Sequence, residues 1–529
     1  MTDDKKHMAH TVTVATGDIG GAPEGAAGTG GRPNRRVTII REPAVTRRIA
    51  HRSALQKVTS NGTIAAAVMV AAALLAVIVA NSPAYEVVHE AIETPLGVTV
   101  GPLAASMSVE SFVNDFLMAI FFLLVGIELK YEMTVGQLRR PRQAALPMLA
   151  AVGGVCVPAF IYLALNLPAG NVHGWAIPIA TDIAFALGVM SLLGNRVASE
   201  TKVFFQTLAI ADDILAIVVL ALFYGQSPDV AWCAASLLLV VVLALLARAH
   251  VFSSKPYLFA GLVLWVCMYN SGIHATLAGV ILAFFLPARS DVRLSHLRDW
   301  LSSQARSLDD DYDDEAHVLG QHDFTASAER VEHILHHVTP PLQRVERLIS
   351  SWVNFVILPL FAFVNAQVRL MGADFAALAA DRVTQGVFLG AVVGKPLGII
   401  LVTLLLVRVG FARLPRHVSW DQVVAVGIMG GMGFTMSILI AGLAFPNPFE
   451  VVAAKCAILL GSFAAGVLGI LFVRAHDALT SHGASGGNAA GRPARRRPCA
   501  RRGGLGAGQA RDGRAEADER GRPPYSTVP

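Results

Sequence analysis

The chain has 529 residues, 54% of them hydrophobic and only 15% charged, with a formal net charge of +5 and a positive mean hydropathy. Soluble domains carry about 25% charged residues, so a string of ordinary soluble domains is excluded. The charge present is gathered in the two ends and in short islands between long apolar runs, the pattern of a polytopic membrane protein with polar ends. The cysteines add no framework. Cys156, Cys233, Cys267 and Cys456 lie in apolar runs, Cys499 lies in a polar tail, and no CxxC pair marks a zinc site or a disulfide scaffold. Residues 1–57 hold no apolar h-region, so the first hydrophobic segment is expected to start insertion itself.

A spanning helix needs about 20 mostly apolar residues. In chain order the predicted spans are 63–80, 109–129, 144–165, 174–193, 203–224 and 230–247. The stretch 256–287 has no Lys, Arg, Asp or Glu and is too long for one untilted crossing of a core about 30 Å thick. It is read as two helices turning at 269–272. The remaining spans are 352–368, 383–407, 422–445 and 451–473. Loops 130–143, 194–202, 248–255, 287–351 and 408–421 carry Lys or Arg, whereas 81–108, 166–173, 225–229, 269–272 and 446–450 carry none. Only 369–382 breaks the alternation, with Arg369 and Arg382. By the positive-inside rule this gives twelve spans with both termini in the cytoplasm. The runs are continuously apolar rather than alternating, which excludes a transmembrane β-barrel.

The predicted organisation is therefore a membrane domain over 58–474 between two disordered basic cytoplasmic tails, 1–57 and 475–529, rich in Gly, Arg, Pro and Ala. Such tails suit an anionic lipid surface, and no nucleic-acid partner is expected. The cytoplasmic loop 287–351 contains an acidic run, Asp309, Asp310, Asp311, Asp313, Asp314 and Glu315, read as a solvated insert.

Charges inside the hydrocarbon region are costly and mark function unless they form a structural ion pair. Asp212 and Asp213 are adjacent in the middle of the fifth span. Neighbouring helical residues point about 100° apart, so one carboxylate can face a water-filled cavity while the other faces a neighbouring helix. Two carboxylates this close do not both ionise cheaply in a low dielectric. Protonation then competes with binding of a hard cation such as sodium, which prefers oxygen ligands. That is the chemistry of a proton–cation exchanger.

In the fourth span Pro178 and the Thr181–Asp182 pair fall where a continuous helix would cross the midplane. Proline removes a backbone donor, and unwound backbone is tolerated at that depth only where it lines a cavity or is buried in protein. The eleventh span carries GIMGGMGFTMS over 427–437, whose glycines fit either a second break or close helix packing. Lys395, in GKPLG, is the only charge of the tenth span and needs a carboxylate partner from among Asp115, Asp182, Asp212 and Asp213. It could also neutralise the carbonyl ends of two facing half-helices. The interrupted spans are central to units of spans 3–5 and 10–12. Their odd separation gives the units opposite orientations, the inverted-repeat signature of secondary transporters.

The motifs NDFLMAIFFLLVGIELK (114–130), GWAIPIATDIAFALGV (174–189), LAIADDILAIVVLALFY (208–224), SGIHATLAGV (271–280), LPLFAFVNA (358–366), GKPLGI (394–399) and GFTMSI (433–438) together identify a resemblance to the bacterial NhaA sodium/proton antiporters. It covers about 61–473 and leaves out the tails and the 290–343 insert. The resemblance implies an all-α membrane protein of twelve helices with two interrupted crossing helices. It implies that Asp212 and Asp213 bind sodium and protons, and that Asp182 with Thr181 balances helix ends at the crossing. Lys395 would stabilise that crossing and pair with Asp213. Asn114, Asp115 and Gly433, in matching motifs, would support the site. Glu128, Glu132 and Glu346 would form a pH-responsive cytoplasmic funnel. Tyr131 stands where the family often has Arg, and Glu332, His333 and His336 form a rival Glu-His pattern; spacing to 358–363 favours Glu346.

The expected function is electrogenic, pH-regulated extrusion of sodium, with lithium as a second cation, in exchange for external protons across a bacterial inner membrane. It needs no cofactor and is transport rather than enzymatic catalysis. Loop 81–108 would carry a hairpin for a homodimer. A coupled solute symporter would show a solute pocket rather than two bare aspartates. An intramembrane aspartyl protease would need facing aspartates on separate helices in a GxGD context, which the chain lacks.

Overall fold

A computed structural model of the chain describes residues 62–486, apart from 101–102, 226–227, 291, 293, 314–315, 370–374 and 416–417. The predicted tail 1–57 and the remainder of the second tail beyond 486 lie outside the described residues. The chain forms one compact unit as far as Ala478 and a separate one from Leu479.

Among the described residues the fold is all-α apart from one hairpin. Helix α1 (Gly62–Ala80) leads to a short amphipathic α2 (Tyr85–Glu93) and the antiparallel pair β1 (Pro95–Val100) and β2 (Leu103–Ser108), in register Pro95↔Ser108 through Val100↔Leu103. Then come α3 (Val109–Thr134) and α4 (Pro141–Asn166). The fourth span is split into a 3-10 segment, Val172–Ile179, and α5 (Ile183–Leu192). Helices α6 (Ser199–Phe223), α7 (Val230–Arg248), α8 (Ser254–Ser271) and α9 (Leu277–Phe285) follow. The segment outside the family motifs forms α10 (Leu294–Asp310) and α11 (His322–Val338). The second half comprises α12 (Pro341–Asn365), α13 (Phe375–Ala380), α14 (Arg382–Arg408), α15 (Trp420–Gly430), α16 (Phe434–Ala444) and α17 (Pro448–Gly486).

By length and apolarity, nine described helices can each cross a membrane, or ten if the α15–α16 pair, bent by 41°, counts as one span. The other two segments of the predicted twelve are α8 and α9. At about 1.5 Å per residue, α9 is too short to cross alone. The turn between them lies at 272–276, later than the predicted 269–272, because Gly272 takes the left-handed conformation (φ 77°) that closes α8.

Three further expectations are corrected. The 287–351 segment between spans carries helices: Asp309 and Asp310 of its acidic run end α10, and Asp311 accepts from Ser327 Oγ at 2.8 Å. The ninth span starts at Pro341 rather than 352, because Pro341 opens a helix whose first turns carry Arg344, Glu346 and Arg347 on an amphipathic face. The last helix runs on to Gly486, so residues 475–486 are helical. Arg369, which broke the charge alternation, is held by α2: it pairs with Glu86 at 3.7 Å and lies 4.5 Å over the Tyr85 ring.

Small residues set the helix contacts. A Cβ on Gly153 of α4 would lie 2.5 Å from Gly398 O of α14, and one on Gly394 would lie 2.9 Å from Pro158 Cα. In α3, a Cβ on Gly126 would lie 2.7 Å from Ala283 Cβ of α9. Lipid tails are as apolar as leucine, so packing and polar contacts hold such helices together. Wide π-helical turns at 353–357 and 390–394 come just before Pro359 and Pro396 and accommodate their rings. A Gly398→Leu substitution should separate α4 from α14 and destabilise the protein by about 1–3 kcal/mol, read as a lower melting temperature in detergent. An unchanged melting temperature would contradict this close contact.

Candidate functional site

The two interrupted spans meet at their breaks. The Asp182 N–H donates to Met432 O at 2.7 Å, and Ser437 Oγ donates to Ile177 O at 2.8 Å. The glycines of 427–437 therefore serve a break and close packing together. A Cβ on Gly433 would stand 2.8 Å from Ala180 O.

Each break leaves two helix ends inside the protein, with amides or carbonyls lacking intrahelical partners. Asp182, 3% exposed, satisfies both amide ends. Its Oδ1 caps α5, accepting from Phe185 N at 2.9 Å. Its Oδ2 accepts from Thr435 N at 3.2 Å and Thr435 Oγ1 at 2.7 Å at the start of α16. A carboxylate between two helix N-termini complements both dipoles. At the carbonyl ends stand Lys395, whose Nζ donates to Ile179 O, and Thr181, whose Oγ1 lies 3.2 Å from Gly430 O.

The same residues reach the aspartate pair on α6. Lys395 Nζ is 2.5 Å from Asp212 Oδ2, and Thr181 Oγ1 donates to that oxygen at 2.5 Å. Lys395 is 0% exposed, and Asp212 and Asp213 are each 2% exposed. The expected pairing of Lys395 with Asp213 is therefore corrected: its partner is Asp212. The reason is the helical rotation between adjacent residues, which turns Asp212 toward Thr181 and α14. Asp212 Oδ1 and Asp213 Oδ1 are buried without a hydrogen-bond partner. Two neighbouring carboxylates thus each offer an uncommitted oxygen, and a proton or a hard cation can satisfy them.

The supporting residues divide. Asn114 and Asn365 exchange side-chain amide bonds of 3.3 and 2.6 Å between α3 and α12. Asp115 is beside them in sequence; its backbone carbonyl accepts from Trp265 Nε1 at 3.2 Å. Glu128 lies within electrostatic reach of Glu132, Glu346 and Asp213. Glu132 Oε2 accepts from Gln137 N at 2.9 Å. Glu332, His333 and His337 instead surround His336 on α11, where Arg344 also meets it. Partial desolvation, then the positive charge of Arg344, holds that imidazole below its ordinary pKa.

The sequence profile of the family described as Na+/H+ antiporter 1 matches residues 56–473. The chain belongs to this family. Among its relatives are proteins named Na(+)/H(+) antiporter NhaA. The one from Helicobacter pylori strain HPAG1 is 41% identical over 414 residues, covering 77% of this chain and 91% of the relative. The Oleidesulfovibrio alaskensis protein is 40% identical over 406 residues (77% and 90%), and that of Janthinobacterium sp. strain Marseille 40% over 419 (79% and 92%). The protein is thus a multi-pass NhaA-type sodium/proton antiporter.

Four polar residues of this antiporter were missed in the sequence: Thr435, Ser437, Ser462 and Asn365. Thr435 had a visible signal, a hydroxyl just after the Gly433 break, where a restarting helix needs a partner. Ser462, which accepts from Phe434 N at 3.2 Å, had none.

Removing one member of a buried ion pair costs about 3–5 kcal/mol. Lys395→Ala should lower thermal stability accordingly. Asp212→Asn should recover part of that loss in the Lys395→Ala background, whereas Asp213→Asn should recover less. Equal recovery by both, read in detergent melts, would contradict the Asp212 pairing.

Proposed function

We propose that this antiporter carries out electrogenic exchange at Asp212 and Asp213, moving sodium out of the cytoplasm against protons from outside. The observation that carries the reading is the pair of adjacent buried carboxylates, each with an oxygen free of hydrogen bonds. Lys395 and Thr181 occupy one oxygen of Asp212. Sodium arriving from the cytoplasm takes the free oxygens of both aspartates. The bundle around the crossing rocks, sodium leaves outward, and protons reload the carboxylates. Two titrating groups working against one monovalent cation leave a net charge moving in each cycle. Lithium, a smaller hard cation, suits the same oxygens.

Asp182, Thr181 and Lys395 hold the crossing, with Gly433 giving its close approach and Asn114 and Asp115 supporting α3. Glu128, Glu132 and Glu346 form the pH-responsive cytoplasmic mouth; like charges so placed make occupancy depend on proton activity. On this reading the membrane is a bacterial inner membrane crossed twelve times, the short α9 crossing together with the turn 272–276 before it, with both termini cytoplasmic. The basic residues of 1–57 and 487–529 favour anionic lipid, and the β1–β2 hairpin supplies a homodimer contact.

Two experiments test this. Asp212→Asn and Asp213→Asn should each abolish or strongly reduce sodium-driven proton flux in everted vesicles, normalised to inserted protein, with Asp229→Asn as control. Near-normal exchange in both mutants would refute the site. Cysteine labelling should find position 104 accessible from outside and position 290 from inside; finding both on one side would sink the twelve-span topology.

A further inference from the structure

The carbonyl end of α9 joins two other helices. α9 ends at Phe285, and Pro287 supplies no N–H to continue it. The last carbonyls of a helix lack intrahelical donors. Here Phe284 O and Leu286 O accept from Lys130 Nζ, at 2.6 and 2.5 Å. The next carbonyl, Pro287 O, accepts at 3.2 Å from the N–H of Leu342, a first-turn amide of α12. One strip of three carbonyls thus fastens α3 through Lys130 and α12 through Leu342.

These attachments lie beside the carboxylates of the mouth. Glu128 and Glu132 flank Lys130 two residues away on either side, and Glu346 follows Leu342 by four residues, about one helical turn. α9 is itself locked against α3: a Cβ on Gly279 would lie 2.7 Å from Leu123 N. An ammonium at a helix C-terminus makes charge-assisted bonds and complements the dipole.

We propose that Lys130 is a positioning residue for cation entry. By clamping α3 to the carbonyl end of α9 it sets where Glu128 stands relative to Glu346. The clamp itself touches no ion. The inference rests on the reading of Glu128 and Glu346 as the cytoplasmic mouth.

The test uses the full chain in everted vesicles, whose cytoplasmic face meets added sodium. Lys130→Met should raise the apparent KM for sodium about five-fold while leaving the maximal rate per inserted protein within about two-fold. Lys130→Arg, which keeps charge and several donors, should stay close to wild type. An unchanged KM in Lys130→Met, or a lost rate at unchanged KM, overturns the proposal, because general destabilisation gives the second pattern. Should Lys130→Met fail to insert, Lys130→Gln, too short to reach both carbonyls, is read with the same outcomes. Hydrogen exchange in detergent needs no transport. Amides over 277–287 should exchange faster in the variant, and unchanged protection also overturns the clamp. A wild-type protein lacking sodium-dependent proton flux would sink the exchange reading, while hydrogen exchange would still judge the clamp.

Discussion

Everything at the centre of this protein depends on satisfying broken helix ends buried among packed helices. An unpartnered backbone group in a hydrocarbon environment costs several kcal/mol, so two interrupted spans persist only where side chains replace the missing hydrogen bonds. Asp182 does this for both amide ends, and Lys395 does it for the carbonyl end at Ile179. The crossing is held by opposite charges at opposite dipole ends, each placed by its own helix.

The same arrangement supplies the chemistry. Lys395 and Thr181, while serving the crossing, also reach Asp212. On the proposed mechanism, a cation on the free oxygens of Asp212 and Asp213 would share the Asp212 carboxylate with the bonds from Lys395 and Thr181. A ligand that draws Asp212 away from Lys395 alters the electrostatic balance of the crossing. The proposed mechanism thus has a direct physical route from occupancy to helix movement, without any long chain of intervening residues. The small residues between α4 and α14 bring the backbone bearing Lys395 close enough for this double duty.

Much of this was legible in the sequence, for identifiable reasons. Asp182, Asp212, Asp213 and Lys395 stand out because charge is rare in apolar runs, and Pro178 marks its break because it lacks an N–H. The partner of Lys395 was not legible: adjacent aspartates differ only in rotation about α6, which depends on packing. The start of α12 was hidden because its first turns carry Arg344, Glu346 and Arg347 and read as loop. The helices α10 and α11 were hidden by polar composition, and α9 by a shortness that apolarity alone does not reveal. Ser462 and Asn365 are polar residues in apolar runs whose partners lie on distant helices.

The central claim is that sodium and protons compete for the same carboxylates. Calorimetry of sodium binding to the purified protein tests it most directly, run near neutral pH in two buffers of different ionisation enthalpy. The observed heat should depend on the buffer, because each sodium that binds releases protons into solution. Sodium binding with the same heat in both buffers would mean that no proton is exchanged, and would contradict it.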